Sequence, residues 1–251
     1  MSGHSKWSTI KHKKGANDAR RGKLFTKLIK EITVAARLCG GDFDSNPRLR
    51  TAVAGARQAN MPNDNITRAI KKGTGELEGT HYEETTYEGY GQGGVAIFLE
   101  AMTDNKNRTV GEIRSIFSKN GGNLGANGCV DWIFQHKGLI LVPTIGNNED
   151  SLLELTMDVG ADDLKREDDH FEITTSVESF ESVRKGLEDQ SIEIGLAELT
   201  RIPQNTVQVT DEKEGKSLLR LMESLEDHDD VQKAFSNFDI PEELLTTLVS
   251  R

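Results

Sequence analysis

The chain contains 251 residues, of which 35% are hydrophobic and 29% charged, so it can bury the cores of two or three globular domains. Its two cysteines, Cys39 and Cys129, show no C-x-x-C or Cys/His spacing, which excludes a disulfide framework and a zinc motif and favours a reducing compartment. The apolar runs are far shorter than the roughly 20 residues that span a bilayer, and no apolar segment follows the basic start. We therefore expect a cytoplasmic protein without a membrane segment.

The charge is divided unevenly along the chain. Residues 1–75 contain 16 Lys and Arg against 5 Asp and Glu, a net +11, which leaves 15 against 36, a net −21, for residues 76–251. Such asymmetry predicts a polyanion-binding part joined to an acidic part. The alternative is that the two parts neutralise each other across a domain interface.

The first 75 residues predict a basic arm followed by three short helices. In "NDARRGKLFTKLIKEITVAARLCGG" the apolar residues recur at i, i+4 spacing, and Gly40 can end the helix. Asn46 as N-cap with Pro47 at the first helical position predicts the start of a second helix. A third, "PNDNITRAIKKG", is predicted to stop at Gly73. Together they predict a small N-terminal bundle.

After a polar, glycine-rich linker, the pattern alternates between strands and helices. Residues 138–202 predict a complete βαββαβ unit of the ferredoxin-like kind. Elements on both sides of it, including the strands "VDWIFQHK" and "TVQVT", predict a second such unit that the first one interrupts. The expected fold class is α+β, an N-terminal three-helix bundle followed by two ferredoxin-like α/β domains, the distal one inserted into the middle one. The predicted domains are a basic arm and helical domain (1–75), a discontinuous middle domain (82–137 plus 203–251) and an inserted distal domain (138–202).

Two glycine-rich stretches resemble phosphate-binding loops. "GYGQGG", residues 89–94, matches G-x-G-x-x-G, but a strand pattern follows it instead of the helix that a dinucleotide site needs, so a wide hairpin turn is predicted. "NGGNLGANG", residues 120–128, lies between a helix and a strand, where Gly and Asn suit a mobile loop as well as an anion-binding loop. We prefer the loop interpretation.

The sequence offers little that points to catalysis. Its six histidines are scattered and fit no H-E-x-x-H, G-x-S-x-G or P-loop pattern. Cys129 could act as a nucleophile only with a histidine that the fold brings next to it. We therefore predict a protein that is not an enzyme and has no catalytic residue, metal site, cofactor or small-molecule substrate.

Four long stretches are specific enough to identify relatives: "GHSKWSTIKHKKGANDARRGKLFTKLIKEI", "NPRLRTAVAGARQANMPNDNITRAIKKG", "YEGYGQGGVAIFLEAMTDNKNRT" and "NGGNLGANGCVDWIFQHKG". Through them the chain closely resembles the YebC/PmpR family of bacterial proteins, which includes the mitochondrial translational activator of cytochrome c oxidase. The resemblance implies a helical N-terminus, two α/β domains and a cytoplasmic regulator rather than an enzyme. The family has been described both as transcriptional regulators that bind promoter DNA and as ribosome-associated factors that help translation, including at proline-rich stalls.

The leading hypothesis is a regulator of gene expression that holds the phosphate backbone of nucleic acid through its arm and helical domain. The target is promoter DNA or, alternatively, ribosomal RNA with the ribosome as partner; an acidic protein-interaction adaptor is a further alternative. The predicted nucleic-acid-binding residues are the cations of the arm and those expected on the outside of the bundle: Lys6, Lys11, His12, Lys13, Lys14, Arg20, Arg21, Lys23, Lys27, Lys30, Arg50, Arg57, Arg68, Lys71 and Lys72.

Overall fold

The computed structural model describes residues 18–167 and 169–249. They fall into two compact units, which we call the main unit, residues 18–131 with 207–249, and the distal unit, Trp132–Thr206. None of the helices within these residues is both long and apolar enough to cross a membrane.

Three helices open the main unit: α1 (Asp18–Cys39), α2 (Pro47–Gln58) and α3 (Asn63–Thr74). Asn46 fixes the start of α2, because its Oδ1 accepts the Leu49 amide at 3.0 Å while its Nδ2 donates to the carbonyl oxygens of Ala35 and Gly40. Apolar side chains from all three helices form one core, which includes Ile32, Leu49, Val53 and Ile66. The predicted helical N-terminus is confirmed.

Gly73 lies inside α3 and does not end it, contrary to the prediction. The helix continues to Thr74, and the residue that ends it is Gly75, whose φ of +85° is left-handed. Gly73 is buried against α1, where a Cβ would stand 2.5 Å from the Thr33 carbonyl oxygen and 2.7 Å from the Ala36 Cβ. The missing side chain therefore allows α1 and α3 to approach closely.

An antiparallel hairpin follows the linker, formed by β1 (Glu83–Tyr90) and β2 (Ala96–Thr103). Residues 91–95 turn between the two strands, so the predicted hairpin at "GYGQGG" is confirmed. Next come α4 (Lys106–Lys119) and the short β3 (Asn123–Leu124), which pairs antiparallel with β1.

The distal unit consists of β4 (Phe134–Pro143), α5 (Glu149–Asp158), β5 (Ala161–Arg166), β6 (His170–Thr175), α6 (Phe180–Asp189) and β7 (Leu196–Pro203). Its strands form an antiparallel sheet in the order β5-β6-β4-β7, which is the arrangement of a ferredoxin-like βαββαβ unit. One core lies between the sheet and the two helices, with Ile140, Phe171, Ile173 and Leu187 fully or almost fully buried. The mixed α+β class is thus confirmed.

The chain then returns to the main unit with β8 (Val207–Gln208), α7 (Glu212–Glu226), β9 (Val231–Ser236), β10 (Phe238–Asp239) and α8 (Glu242–Val249). β9 pairs antiparallel with β2, which completes a sheet in the order β3-β1-β2-β9. This sheet thus takes strands from both sides of the distal unit. α4 and α7 pack with it around a core that contains Phe117, Leu221 and Phe238.

Two strands differ from their predicted places. "TVQVT" contributes only the two residues of β8, which pair in parallel with β10 outside the main sheet. "VDWIFQHK" forms a short 3-10 turn and then enters β4, which pairs with β7, so the distal unit begins at Trp132 instead of residue 138. Strand propensity is local, whereas the partner strand depends on the whole fold. The division of the main unit into a helical and a middle domain stays a prediction.

Candidate nucleic-acid interface

The fifteen predicted binding residues fall into three groups. Five of them, Lys6, Lys11, His12, Lys13 and Lys14, lie outside the described residues, and only the backbone of Arg20, within α1, is described. The second group comprises the α1 lysines. The third comprises exposed cations, among them Arg21, whose guanidinium lies 5.4 Å from the centre of the Phe25 ring.

The lysines of α1 face the acidic C-terminal end of α7 within the same unit. Lys23 Nζ lies 3.4 Å from the Asp227 carboxylate, and Lys27 Nζ donates to the Glu226 carbonyl oxygen at 2.6 Å. Cations are favoured at that end of a helix because its last carbonyl groups carry partial negative charge. These two lysines therefore already have anionic or carbonyl partners inside the protein.

Lys30 is buried, so the prediction that it faces outward is wrong. Only 5% of the residue is exposed, and its Nζ lies 2.6 Å from Asp230 Oδ1 and 2.9 Å from the Asp229 carbonyl oxygen. The apolar spacing of α1 identified one buried face of the helix, whereas a second face is covered by β2 and the segment before β9. A lysine stem is apolar enough to cross such an interface when its ammonium finds a carboxylate.

Asp230 accepts hydrogen bonds from side chains of three secondary-structure elements. Besides Lys30, its carboxylate accepts the guanidinium of Arg108 at 2.8 Å, the hydroxyl of Thr109 at 2.7 Å and that of Thr103 at 3.2 Å. Burial by itself raises the pKa of Asp230, but the hydrogen bonds from Lys30, Thr109 and Arg108 outweigh it and hold that pKa well below its ordinary value. Asp230 is therefore an anion that joins α1, α4 and β2.

Two further arginines of the bundle are occupied by contacts that the sequence did not suggest. Arg48 pairs with Glu31 of α1 at 2.7 Å and with Glu84 of β1 at 2.6 Å, and these hydrogen bonds raise its pKa above the ordinary value. Arg37 donates to the carbonyl oxygens of Thr80 and Tyr82. Arg48 is therefore neutralised by two acids of the main unit, whereas Arg37 is held by carbonyl oxygens.

The remaining cations point away from these contacts. Arg50 and Arg57 are exposed on α2, which contains no acidic residue. Arg68 and Lys71 are exposed on α3, whose only acidic residue is Asp64, and Lys72 on the same helix is half-buried. Arg50 donates to the Phe43 carbonyl oxygen. Within the described part of the chain, Arg57, Arg68, Lys71 and Lys72 have no carboxylate within ion-pair distance. We call these four residues the free cation set; they can contact phosphates without first breaking an internal pair.

The glycine-rich loop 120–128 is held by an anion from the protein itself. The buried Glu88 carboxylate accepts the backbone amides of Gly128, Val130 and Asp131 at 2.6 to 2.9 Å. The Tyr90 hydroxyl adds a bond to the Cys129 carbonyl oxygen at 2.9 Å. Gly128, at the end of the loop, thus donates its amide to an internal carboxylate, which supports the loop interpretation over an anion site for external ligands at this position.

The candidate nucleophile Cys129 lies in an environment that disfavours its thiolate. Burial, followed by the negative charge of Glu88, raises the pKa of the Cys129 thiol. His136, one of the six scattered histidines, is exposed on β4 in the distal unit. The surroundings of Cys129 therefore do not activate its thiol.

Among the described residues, Glu112, His228 and Asp230 place potential metal-ligand atoms within 4.8 Å of one another. His228 Nε2 lies 2.8 Å from the Glu112 carboxylate, and His228 Nδ1 accepts the Asp230 amide at 3.1 Å. Asp230 already binds the cations of Lys30 and Arg108. Both oxygens of the Asp230 carboxylate are therefore already hydrogen-bonded to side chains of the protein itself.

Comparisons with known proteins cover nearly the whole chain. A family model described as "TACO1/YebC protein N-terminal domain" matches residues 5–76, and one described as "TACO1/YebC second and third domain" matches residues 82–238. A "probable transcriptional regulatory protein" of Syntrophobacter fumaroxidans is 61% identical over 245 residues, which cover 98% of both chains. A protein of Desulfotalea psychrophila with the same description is 59% identical over 248 residues, or 99% of both chains.

A solved structure agrees with the fold as well. The crystal structure of a conserved hypothetical protein from Aquifex aeolicus is 50% identical in sequence and superposes with a TM-score of 0.80. The match covers 91% of this chain and 94% of that one. On the family models, the high identities and this shared fold, the chain belongs to the TACO1/YebC family.

Proposed function

We propose that this protein is a regulator of gene expression that binds the phosphate backbone of nucleic acid. The observation that carries the proposal is the free cation set, because Arg57, Arg68, Lys71 and Lys72 are cations of the described bundle that have neither a carboxylate nor a carbonyl oxygen nor an aromatic ring as a partner. Flexible Lys and Arg side chains on a helix surface give affinity through counterion release without reading bases. The description of the relatives as probable transcriptional regulatory proteins supports the regulatory role.

Promoter DNA is the target that the relatives' description favours, and the cationic arm would add to its affinity. Ribosomal RNA is the second candidate, and the charge of the distal unit favours it. That unit contains 6 Lys and Arg against 16 Asp and Glu, a net −10, which would be repelled by a long duplex but suits the basic proteins that accompany ribosomal RNA. Neither target requires a catalytic group.

The test compares two charge-reversal variants of the full chain. The first, Arg57→Glu/Arg68→Glu/Lys71→Glu, changes the free cation set; the matched control, Lys213→Glu/Lys216→Glu/Arg220→Glu, reverses three exposed cations on α7. Both lower the net charge by the same amount. Fluorescence anisotropy with a labelled promoter duplex and a labelled ribosomal RNA fragment measures affinity over a series of salt concentrations.

We expect the first variant to lose about 10- to 100-fold in affinity at moderate salt and the control to lose much less. Contact with about six phosphates predicts a slope of log affinity against log salt of roughly −5 for the duplex, and removal of three contacts should flatten it by about 3. Equal losses in both variants, or a slope near zero for the wild type, would contradict the proposal. The fragment that is bound more tightly decides between DNA and RNA.

A further inference from the structure

The distal unit carries the entire net negative charge of the protein. It contributes 6 Lys and Arg against 16 Asp and Glu, and the other residues of the chain contain 25 of each. The charge is unevenly compensated within the unit. On α6, Arg184 pairs with Glu181 at 2.7 Å and with Glu188 at 2.8 Å, so this helix neutralises much of its own surface.

Helix α5 is different from α6, because it contains no basic residue. Asp150, Glu154 and Asp158 are exposed and have no ion-pair partner within the part of the chain that the structure describes. Leu153 and Met157, one helical turn apart, are 41% and 49% exposed between these acids. We call these five residues the α5 face; it combines an apolar strip with an uncompensated acidic border.

Local structure explains only part of this pattern. Asp150 lies in the first turn of α5, where an acid interacts favourably with the helix dipole. Asp158 lies in the last turn, where the dipole opposes a negative charge, and no basic residue accompanies it there. A cation from outside the helix would relieve both the charge and the dipole at this end.

In the main unit, the negative charge at the end of another acidic helix is neutralised by lysines. There the acidic C-terminal end of α7 is met by Lys23 and Lys27 of α1, and Asp230 in the segment after it is met by Lys30. The three lysines follow i, i+4, i+7 spacing on an amphipathic helix. By this analogy we propose that the α5 face binds a cationic amphipathic helix of a partner protein, whose Lys or Arg residues pair with Glu154 and Asp158 while apolar residues cover Leu153 and Met157. The proposal concerns a protein partner and goes beyond the nucleic-acid binding proposed above.

The experiment uses the full chain and a fluorescein-labelled helical peptide of about 18 residues, made of Lys and Leu with Lys at i, i+4, i+7 spacing. The same peptide with Glu at the Lys positions controls for charge sign. Two protein variants are charge-matched: Glu154→Lys/Asp158→Lys alters the α5 face, and Asp189→Lys/Glu193→Lys alters exposed acids elsewhere in the distal unit. A third, Leu153→Ser/Met157→Ser, removes the apolar strip.

We expect the α5 charge variant to weaken binding of the Lys peptide about tenfold or more and its matched control less than about twofold. The serine variant should also weaken binding but leave the salt dependence unchanged, because it removes no charge. Equal losses in the two charge variants, no loss in either, or equal binding of the Glu peptide would overturn the proposal. Nucleic-acid affinity should be the same in the two charge-matched variants, because both change the charge of the distal unit equally, and this separates the test from that of the proposed function.

Discussion

Replacing Asp230 by Asn should weaken the packing of the helical bundle on the rest of the main unit. Asparagine keeps the shape of the side chain but removes the charge, so Lys30, whose side chain is only 7% exposed, loses its buried counter-ion. Four side-chain donors point at the Asp230 carboxylate, and the asparagine amide can accept from one side only. Breaking one partner of a buried ion pair typically costs about 3–5 kcal/mol, and we expect a loss in this range.

The matched control is Asp229→Asn, one residue earlier. Asp229 is exposed, and it is its backbone carbonyl that accepts Lys30, so the substitution should change stability by less than about 0.5 kcal/mol. Urea unfolding measures the free energy, and hydrogen exchange of the α1 amides locates the loss, which should appear as about 150- to 5,000-fold faster exchange. A difference of less than about 1 kcal/mol between the two variants would refute the assigned role of Asp230.

The difference in stability between the wild type and Asp230→Asn should depend on pH. The pKa of Asp230 is lowered in the folded protein, so its ionised form adds stability that is fully present above the unfolded-state value of about 4. That stability is lost as the pH falls below about 4 toward the lowered folded-state pKa. The free-energy gap between wild type and Asp230→Asn should therefore be constant near neutral pH and narrow in acid, as measured by urea midpoints in a pH series.

Three further predictions concern packing, the loop and the thiols. Gly73→Ala should destabilise the fold by about 1–3 kcal/mol, because the new Cβ would clash with α1. Gly111→Ala should stabilise the fold by up to about 1 kcal/mol, because a Cβ there meets nothing within 4 Å. Thermal unfolding of the two variants measures both effects. Glu88→Gln should cost about 1.5–3 kcal/mol and speed amide exchange at Gly128 and Val130, since their charged acceptor is lost. Iodoacetamide should modify the exposed Cys39 faster than Cys129, whose pKa is raised; peptide mass spectrometry gives the rates.

Local signals in the sequence predicted much of the fold. The Asn46-Pro47 pair marks the start of α2 because an N-cap and a proline act within one helical turn, and the turn between β1 and β2 follows from glycines flanked by strand patterns. The partner of "VDWIFQHK" could not be predicted in the same way. Its strand character is local, but its residues 134–137 pair with residues 200–203 of β7, which lie 63 to 69 positions later in the sequence.

The roles of charged residues were harder to predict for the same reason. Lys30 and Asp230 are 200 positions apart in sequence, and nothing in the vicinity of either residue identifies the other. Glu88 likewise has the sequence context of an ordinary strand glutamate. Its role depends on a backbone amide 40 residues later, that of Gly128, which donates a hydrogen bond to its carboxylate. Hydrophobic spacing identifies the main buried face of a helix, but it does not reveal that a lysine on another face is covered as well.

The uneven charge of the sequence therefore has two different physical meanings. In the main unit, lysines and arginines of α1 and α2 neutralise acids of α7, β1 and Asp230, so that part of the positive charge is structural. What remains for an external polyanion is the free cation set together with the cations of the arm. In the distal unit Glu149 of α5 pairs with Arg166, whereas Asp150, Glu154 and Asp158 of the same helix have no such internal partner among the described residues. A charged residue is therefore a candidate for binding an external partner only if it is not already paired inside the protein. By this criterion, the helical bundle keeps unpaired positive charge and α5 keeps unpaired negative charge.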